Sequence, residues 1–287
     1  MASGAERGPL GRAMRRVAEW LRAGRPCGVV ALRPAASGST TVATLLGVAG
    51  LGTLLLTPGA AWAACERLEH EGRGHVVCRV EAGADVRLWL RDGTGRVWGD
   101  FRRLDQALAA QGERLVFAMN AGMYHADRGP VGLFLGEGEP EGQVVTSAGP
   151  GNFGMLPNGV FCVKDAGFAV VESRAFAADP PDCRGASQSG PMLVIDGELH
   201  PRFLVDSTSR FVRNGVGVSA DGRVAHFVIS DRPVTFHEFG RLFRDVLETP
   251  QALYFDGNVS RLHAPALGRS DVGRRLGPLV GLVAPAE

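Results

Sequence analysis

The stretch Ala252-Leu253-Tyr254-Phe255-Asp256-Gly257-Asn258-Val259-Ser260-Arg261-Leu262 decides how this chain is read. Its first four residues are an unbroken apolar and aromatic run, the composition of a strand buried on both faces. Asp256-Gly257-Asn258 then stops the strand, because each of the three favours a turn. A carboxylate at the end of a buried strand, beside a glycine that lets another group come close, is well placed for chemistry. The same tripeptide also serves as an ordinary turn, so its surroundings must decide between the two.

Immediately upstream, residues 235–247 predict the best helix of the chain. Phe236, Phe239, Leu242, Phe243 and Val246 share one face, and Glu238, Arg241, Arg244 and Asp245 lie elsewhere. Further out, Val86, Leu88 and Leu90 alternate with Arg87, Trp89 and Arg91, the period of a half-buried strand. Strands are expected at 75–80, 85–90, 114–119, 131–135, 192–195, 224–230 and 279–283. A hairpin at 160–163 and 168–172 turns at Asp165-Ala166-Gly167. A second helix is expected at 101–111, capped by Asp100. Residues 174–186, with Pro180-Pro181, read as irregular. Many short strands with two or three helices predict an α+β fold: a single domain with a mixed or largely antiparallel twisted sheet system and packed helices.

The 287 residues suit one large domain, and the 45% hydrophobic content is that of a chain that buries a core. Residues 1–63 carry seven arginines against Glu6 and Glu19; with the whole chain at +1, the remainder is net −4. That remainder has no basic surface for nucleic acid. Uncharged, apolar residues 40–63 end in Pro58 and Ala61-Trp62-Ala63, a small-x-small pattern. Residues 1–63 therefore read as a basic leader and export signal, cut after Ala63, with an uncleaved anchor as the competing reading. Residues 64–287 form the functional domain. It is expected to be periplasmic or secreted, and to meet a membrane only through the N-terminal segment if that stays uncleaved.

Four cysteines follow the cut: Cys65, Cys78, Cys162 and Cys183. They allow three pairings, and the nearest-neighbour scheme joins Cys65 to Cys78 and Cys162 to Cys183. No Cys-x-x-Cys and no Asp-x-Asp-x-Asp-Gly run occurs, and no His pair has ligand spacing. No metal site and no cofactor are expected.

Three other segments share the character of Asp256-Gly257-Asn258-Val259-Ser260. They are Asn120-Ala121-Gly122-Met123-Tyr124, Gln188-Ser189-Gly190-Pro191 and Arg213-Asn214-Gly215-Val216-Gly217. In this order, with the amphipathic helix before the last, they make residues 110–285 resemble the phosphodiester glycosidase family with its uncovering-enzyme-like domain. Within it the chain looks most like the exported bacterial branch. It departs from the family's characterised enzyme at Asn258 and Val259, which stand where that enzyme has glycines. The resemblance implies hydrolysis of a sugar phosphodiester or a related cell-envelope glycan.

The residues suit that chemistry. Arg213, with Arg232, could hold a phosphate, because a guanidinium matches its geometry. Asp256 would serve the sugar side, as base, nucleophile or stabiliser of an oxocarbenium-like centre. Asn120 and Gln188 would orient hydroxyls, and Gly122, Gly190 and Gly257 would admit the ligand to the backbone. His125, Asp231 and Ser260 are lesser candidates, each with a plain structural role as an alternative. Two rival functions fit the same residues: a non-catalytic glycan- or phosphate-binding protein, and a phosphodiesterase that cuts P–O rather than C–O.

Overall fold

The computed structural model describes residues 63–136 and 140–286. The chain separates into two units, Met1–Thr57 and Pro58–Glu287. The first unit, and with it most of the leader and export signal, lies outside the described residues.

Strands dominate the second unit and form three sheets. The seven-stranded sheet runs in the order β1 (Ala63–His70), β2 (Arg73–Glu81), β12 (Val224–Ser230), β11 (Asn214–Val218), β13 (Gln251–Asp256), β9 (Met192–Ile195) and β10 (Glu198–Leu199). The five-stranded sheet is β15 (Arg269–Ser270), β14 (Leu262–Ala264), β4 (Glu113–Asn120), β16 (Leu279–Pro285) and β3 (Val86–Trp89). The four-stranded sheet is β5 (Phe134–Leu135), β8 (Gly185–Ser189), β6 (Gly159–Lys164) and β7 (Gly167–Glu172). Three α-helices accompany them among the described residues: α1 (Phe101–Ala109), α2 (Ser173–Ala178) and α3 (Phe236–Arg241). The α+β class holds. The largely antiparallel pairing holds as well, since every strand pairing among the described residues is antiparallel, but the expected single sheet system is three sheets.

β13 shows why its central run, Ala252 to Phe255, is apolar without a break. Leu253 and Phe255 enter the main core, among Phe117, Phe161, Val216 and Phe227. Ala252 and Tyr254 point the other way, into a second cluster with Phe239, Leu242 and Phe243 from the helical segment. A strand covered on both faces has no position for an alternating polar residue. Truncating a side chain such as Phe227, fully buried where Phe117 and Phe161 pack on it, would cost about 3–5 kcal/mol.

α3 starts with a capping box, Thr235 Oγ1 accepting from Glu238 N and Glu238 accepting from Thr235 N. The predicted single helix ends earlier than its periodicity. From Leu242 to Val246 the backbone widens into a π-turn, with Leu247 N donating to Leu242 O. On the five-stranded sheet, α1 buries Phe101, Leu104 and Leu108 against Trp89 and Leu279. Two segments read as irregular or as loop are regular: α2, and β8. The disulfides follow the nearest-neighbour scheme, Cys65–Cys78 across β1 and β2, and Cys162–Cys183. Among the described residues no helix is long and apolar enough to cross a membrane.

Candidate active site

Four strands, drawn from all three sheets, meet at the site. β4 ends at Asn120, β8 carries Ser187, Gln188 and Ser189, and β11 and β13 present Asn214 and Asp256 as cross-strand partners. The polar side chains lock the ends together. Asn120 Nδ2 donates to Asn214 Oδ1 at 3.2 Å, and Asn214 Nδ2 donates back to the Asn120 carbonyl at 2.7 Å. Asn120 Oδ1 accepts from Arg261 N at 2.9 Å. The Ser260 hydroxyl lies 3.0 Å from Asn214 Oδ1 and 2.9 Å from the Asp256 carbonyl oxygen. Ser189 Oγ donates to the Phe255 carbonyl, tying β8 to β13. Asn120, Ser189 and Asn214 are fully buried, so each of these bonds replaces hydration that the groups have lost.

The four sequence motifs therefore converge, though their side chains take different places. Asp256 is 8% exposed and its Oδ1 accepts backbone N–H groups from Gly257 (2.6 Å) and Asn258 (2.7 Å). Burial pushes its carboxyl above the usual carboxylate range, against the pull of those amides. It lies in a cleft of about 350 Å³, walled by Met123, Tyr124, Val131 and Val259. Arg128, Arg274 and Arg275 line it as well, and Asp256 is its sole carboxylate among the described residues. Arg275 Nη2 is taken by the Val97 carbonyl, and Arg128 stacks over the Tyr124 ring. Arg274 pairs with no carboxylate among the described residues. Burial raises the Tyr124 phenol, and the Asp256 charge adds to this.

Arg213 is not part of the cleft lining. It is fully buried, with Nε donating to the Val234 carbonyl and Nη2 to the Ser209 carbonyl. Its guanidinium sits 3.7 Å from the Phe236 ring centre and also faces Phe211 and Tyr254. No carboxylate pairs with it among the described residues, and Nη1 has no partner. Desolvation lowers its pKa, opposed by the neighbouring Tyr254. Tyr254 in turn reaches beneath Gly257, where any β-carbon would meet its hydroxyl.

Gln188 faces away from the cleft. Its amide accepts from Leu133 N and Val145 N and donates to the Val145 carbonyl and Ser173 Oγ, so it fastens the 131–145 segment to β8 and α2. Gly122 and Gly190 allow backbone contact inside the motif cluster: Gly122 N donates to Ser187 Oγ, and a β-carbon on Gly190 would lie 2.6 Å from Asn158 Cβ. Arg232 is exposed and outside the cleft lining. Sequence reading missed the cleft arginines and Asn214. The Arg274-Arg275 doublet after Gly273, in a net-acidic domain, was the available signal. No three His, Cys, Asp or Glu among the described residues are grouped to hold a metal ion.

Comparison with known proteins identifies relatives of this chain. The family model described as phosphodiester glycosidase matches residues 113–264. YigE of Escherichia coli (strain K12), whose function is uncharacterised, is 32% identical over 178 residues, covering 62% of this chain and 69% of its own. The zebrafish N-acetylglucosamine-1-phosphodiester alpha-N-acetylglucosaminidase catalytic domain, auto-inhibited by its pro-peptide, superposes with a TM-score of 0.50. The match covers 77% of this chain and 81% of that one at 12% identity, which is a likeness of fold.

Proposed function

The chain belongs to the phosphodiester glycosidase family, and on that premise we propose that it is an exported hydrolase that cleaves a glycosyl phosphodiester at Asp256. One observation carries the reading: among the described residues the cleft is lined by one carboxyl group, buried and with its pKa raised, together with Arg128, Arg274 and Arg275. An ordinary glycosidase needs a second carboxyl group to protonate an alcohol leaving group. A phosphate monoester leaves as an anion, with a second pKa of about 6, and needs a cation instead.

In this mechanism the anomeric C–O bond breaks and the phosphate monoester departs with the electron pair. Asp256 stabilises the oxocarbenium-like centre on the sugar. Water supplies the oxygen that ends on the anomeric carbon, and its proton passes to solvent or to the departing phosphate. Arg274 and Arg128 neutralise the phosphate from the open side of the cleft. Arg213 acts as a buried cation beside Tyr254, without touching the ligand. Asn120 and Asn214 hold the strand ends that carry the carboxylate. The two disulfides support an oxidising, periplasmic or secreted location.

The test is turnover of a chromogenic sugar phosphodiester in 18O-labelled water. Cleavage at carbon puts the label in the sugar; label in the phosphate would mean P–O cleavage and overturn the reading. Asp256→Asn should lower kcat by about 10³-fold with the fold intact. A protein that binds the compound without product is a binder, and full activity of that variant removes Asp256 from the chemistry.

A further inference from the structure

The segment that closes the Asp256 cleft has a second side. Arg274 and Arg275 line the cleft, whereas Asp271, Val272 and Gly273 line a separate cavity of about 500 Å³. Its other walls are the first turn of α1, Arg261 and Ser270. Arg261 links the two places: its backbone N–H holds Asn120 Oδ1, and its charge acts on Tyr124 in the cleft.

Two independent observations mark this cavity for an anion. First, α1 is nine residues long and opens onto it with Phe101, Arg102 and Arg103. The first amides of a helix lack partners within the helix and carry the positive end of its dipole. The Asp100 side chain takes Arg103 N of these. Second, Arg261 is 8% exposed and its Nη2 has no hydrogen-bond partner among the described residues. Gly273 packs on its guanidinium, where a β-carbon would stand 3.3 Å from Cζ. A buried guanidinium with an unused N–H is costly unless something completes it.

The charges in the cavity favour the same ligand. Arg103 is paired with Asp92, and Asp271 with Arg269. Arg102 has no carboxylate partner among the described residues. Arg261 feels Asp271, already engaged by Arg269, and Asp100, and with Arg102 and the helix end the positive side still outweighs them. Two guanidinium groups and a helix N-terminus offer more donors than a carboxylate's two oxygens take up, and they match a phosphate.

We propose that this cavity is a phosphate-binding site, distinct from the Asp256 cleft and sharing a wall with it, in which Arg261, Arg102 and the first turn of α1 hold the phosphate group. The phosphate comes either free from solution or as a second phosphate on the substrate. The second source rests on the glycosyl phosphodiester reading; the site itself does not.

The test is a titration of 15N-labelled protein with inorganic phosphate, followed at individual amides. The Phe101 and Arg102 amides should shift saturably. Arg102→Gln and Arg261→Gln should each weaken that binding at least about fivefold, the scale of one charge-assisted bond. Arg274→Gln should leave it unchanged. Arg102 is exposed, so its variant remains informative if Arg261→Gln fails to fold. No saturable shift at these amides, or unchanged affinity in Arg102→Gln, overturns the proposal. A second arm compares chromogenic sugar phosphodiesters with and without a second phosphate on the alcohol side. A KM rise in Arg102→Gln confined to the doubly phosphorylated compound identifies the substrate as the source. No rise for either identifies free phosphate, and an equal rise for both counts against a phosphate-specific site. Saturable phosphate binding without hydrolysis of either compound keeps this site and overturns the functional reading instead.

Discussion

Gly122 lies flat against Gln188: a β-carbon on Gly122 would collide with the Gln188 backbone carbonyl oxygen and stand 2.7 Å from Ser187 Oγ. The contact joins the end of one sheet to the middle of another. The obstacle is backbone, so it cannot swing away as a side chain can. Gly122→Ala is expected to destabilise the protein by about 1–3 kcal/mol or more. Gly93→Ala, where a β-carbon meets nothing within 4 Å, should stay within about 0.5 kcal/mol. Urea unfolding of the two variants checks the contrast.

Asp256 sets the acid side of the activity profile. Burial raises its folded pKa, so the ionised form needed beside a positive sugar centre is lost at a higher pH than for a free carboxylate. On falling pH, kcat/KM should decline through a limb displaced upward from the ordinary range near 4. A limb at or below that range would remove the ionised Asp256 from the rate-limiting chemistry.

Asn214 bonds Asn120 in both directions and also meets Ser260. Asn214→Ala leaves the Asn120 carbonyl and amide without these partners in a site where both residues are fully buried. The expected loss of stability is about 1–3 kcal/mol for an unsatisfied buried group. Activity should fall further than the folded fraction does, because Asp256 sits on the strand that Asn214 registers. Measuring turnover per folded molecule, with circular dichroism as the reference, separates the two effects.

His226, on β12, should make stability fall on acidification. Burial, with Arg79 nearby, takes its pKa from the ordinary 6.5 down to about 4. Between those values the unfolded chain binds a proton that the folded chain refuses. Its contribution is therefore complete above pH 6.5 and is lost as pH falls toward 4. His226→Gln should flatten the urea midpoint across that window, and a midpoint with unchanged pH slope would contradict this role.

Much of the fold was legible where burial leaves a mark on composition. β13 announced itself because both of its faces are covered, and α1 because three apolar residues recur at helical spacing. β8 was invisible for the opposite reason. Gly185-Ala186-Ser187-Gln188-Ser189 is buried throughout, yet its small and polar residues are satisfied by neighbouring backbone and carry no hydrophobic period. The division into three sheets was equally hidden, since long-range pairing such as Asn214 with Asp256 leaves no local signal. At the site, the carboxylate and the Asn120 motif could be found from strand-end chemistry. The Arg274-Arg275 doublet offered a signal that was passed over, whereas Arg128 offered none, because a loop brings it to the cleft without fixed spacing. Arg213 was found for its charge, but nothing in its sequence neighbours revealed that aromatic rings and carbonyls would enclose it.

That enclosure has a consequence for how the protein responds to its medium. Arginine does not give up its proton in any condition an exported protein meets. Salt reaches a charge sealed behind Phe211, Phe236 and Tyr254 far less than it reaches one at the surface. Arg213 thus behaves as a fixed electrode whose voltage is set by the fold, while the arginines that line the cleft remain tunable by ionic strength.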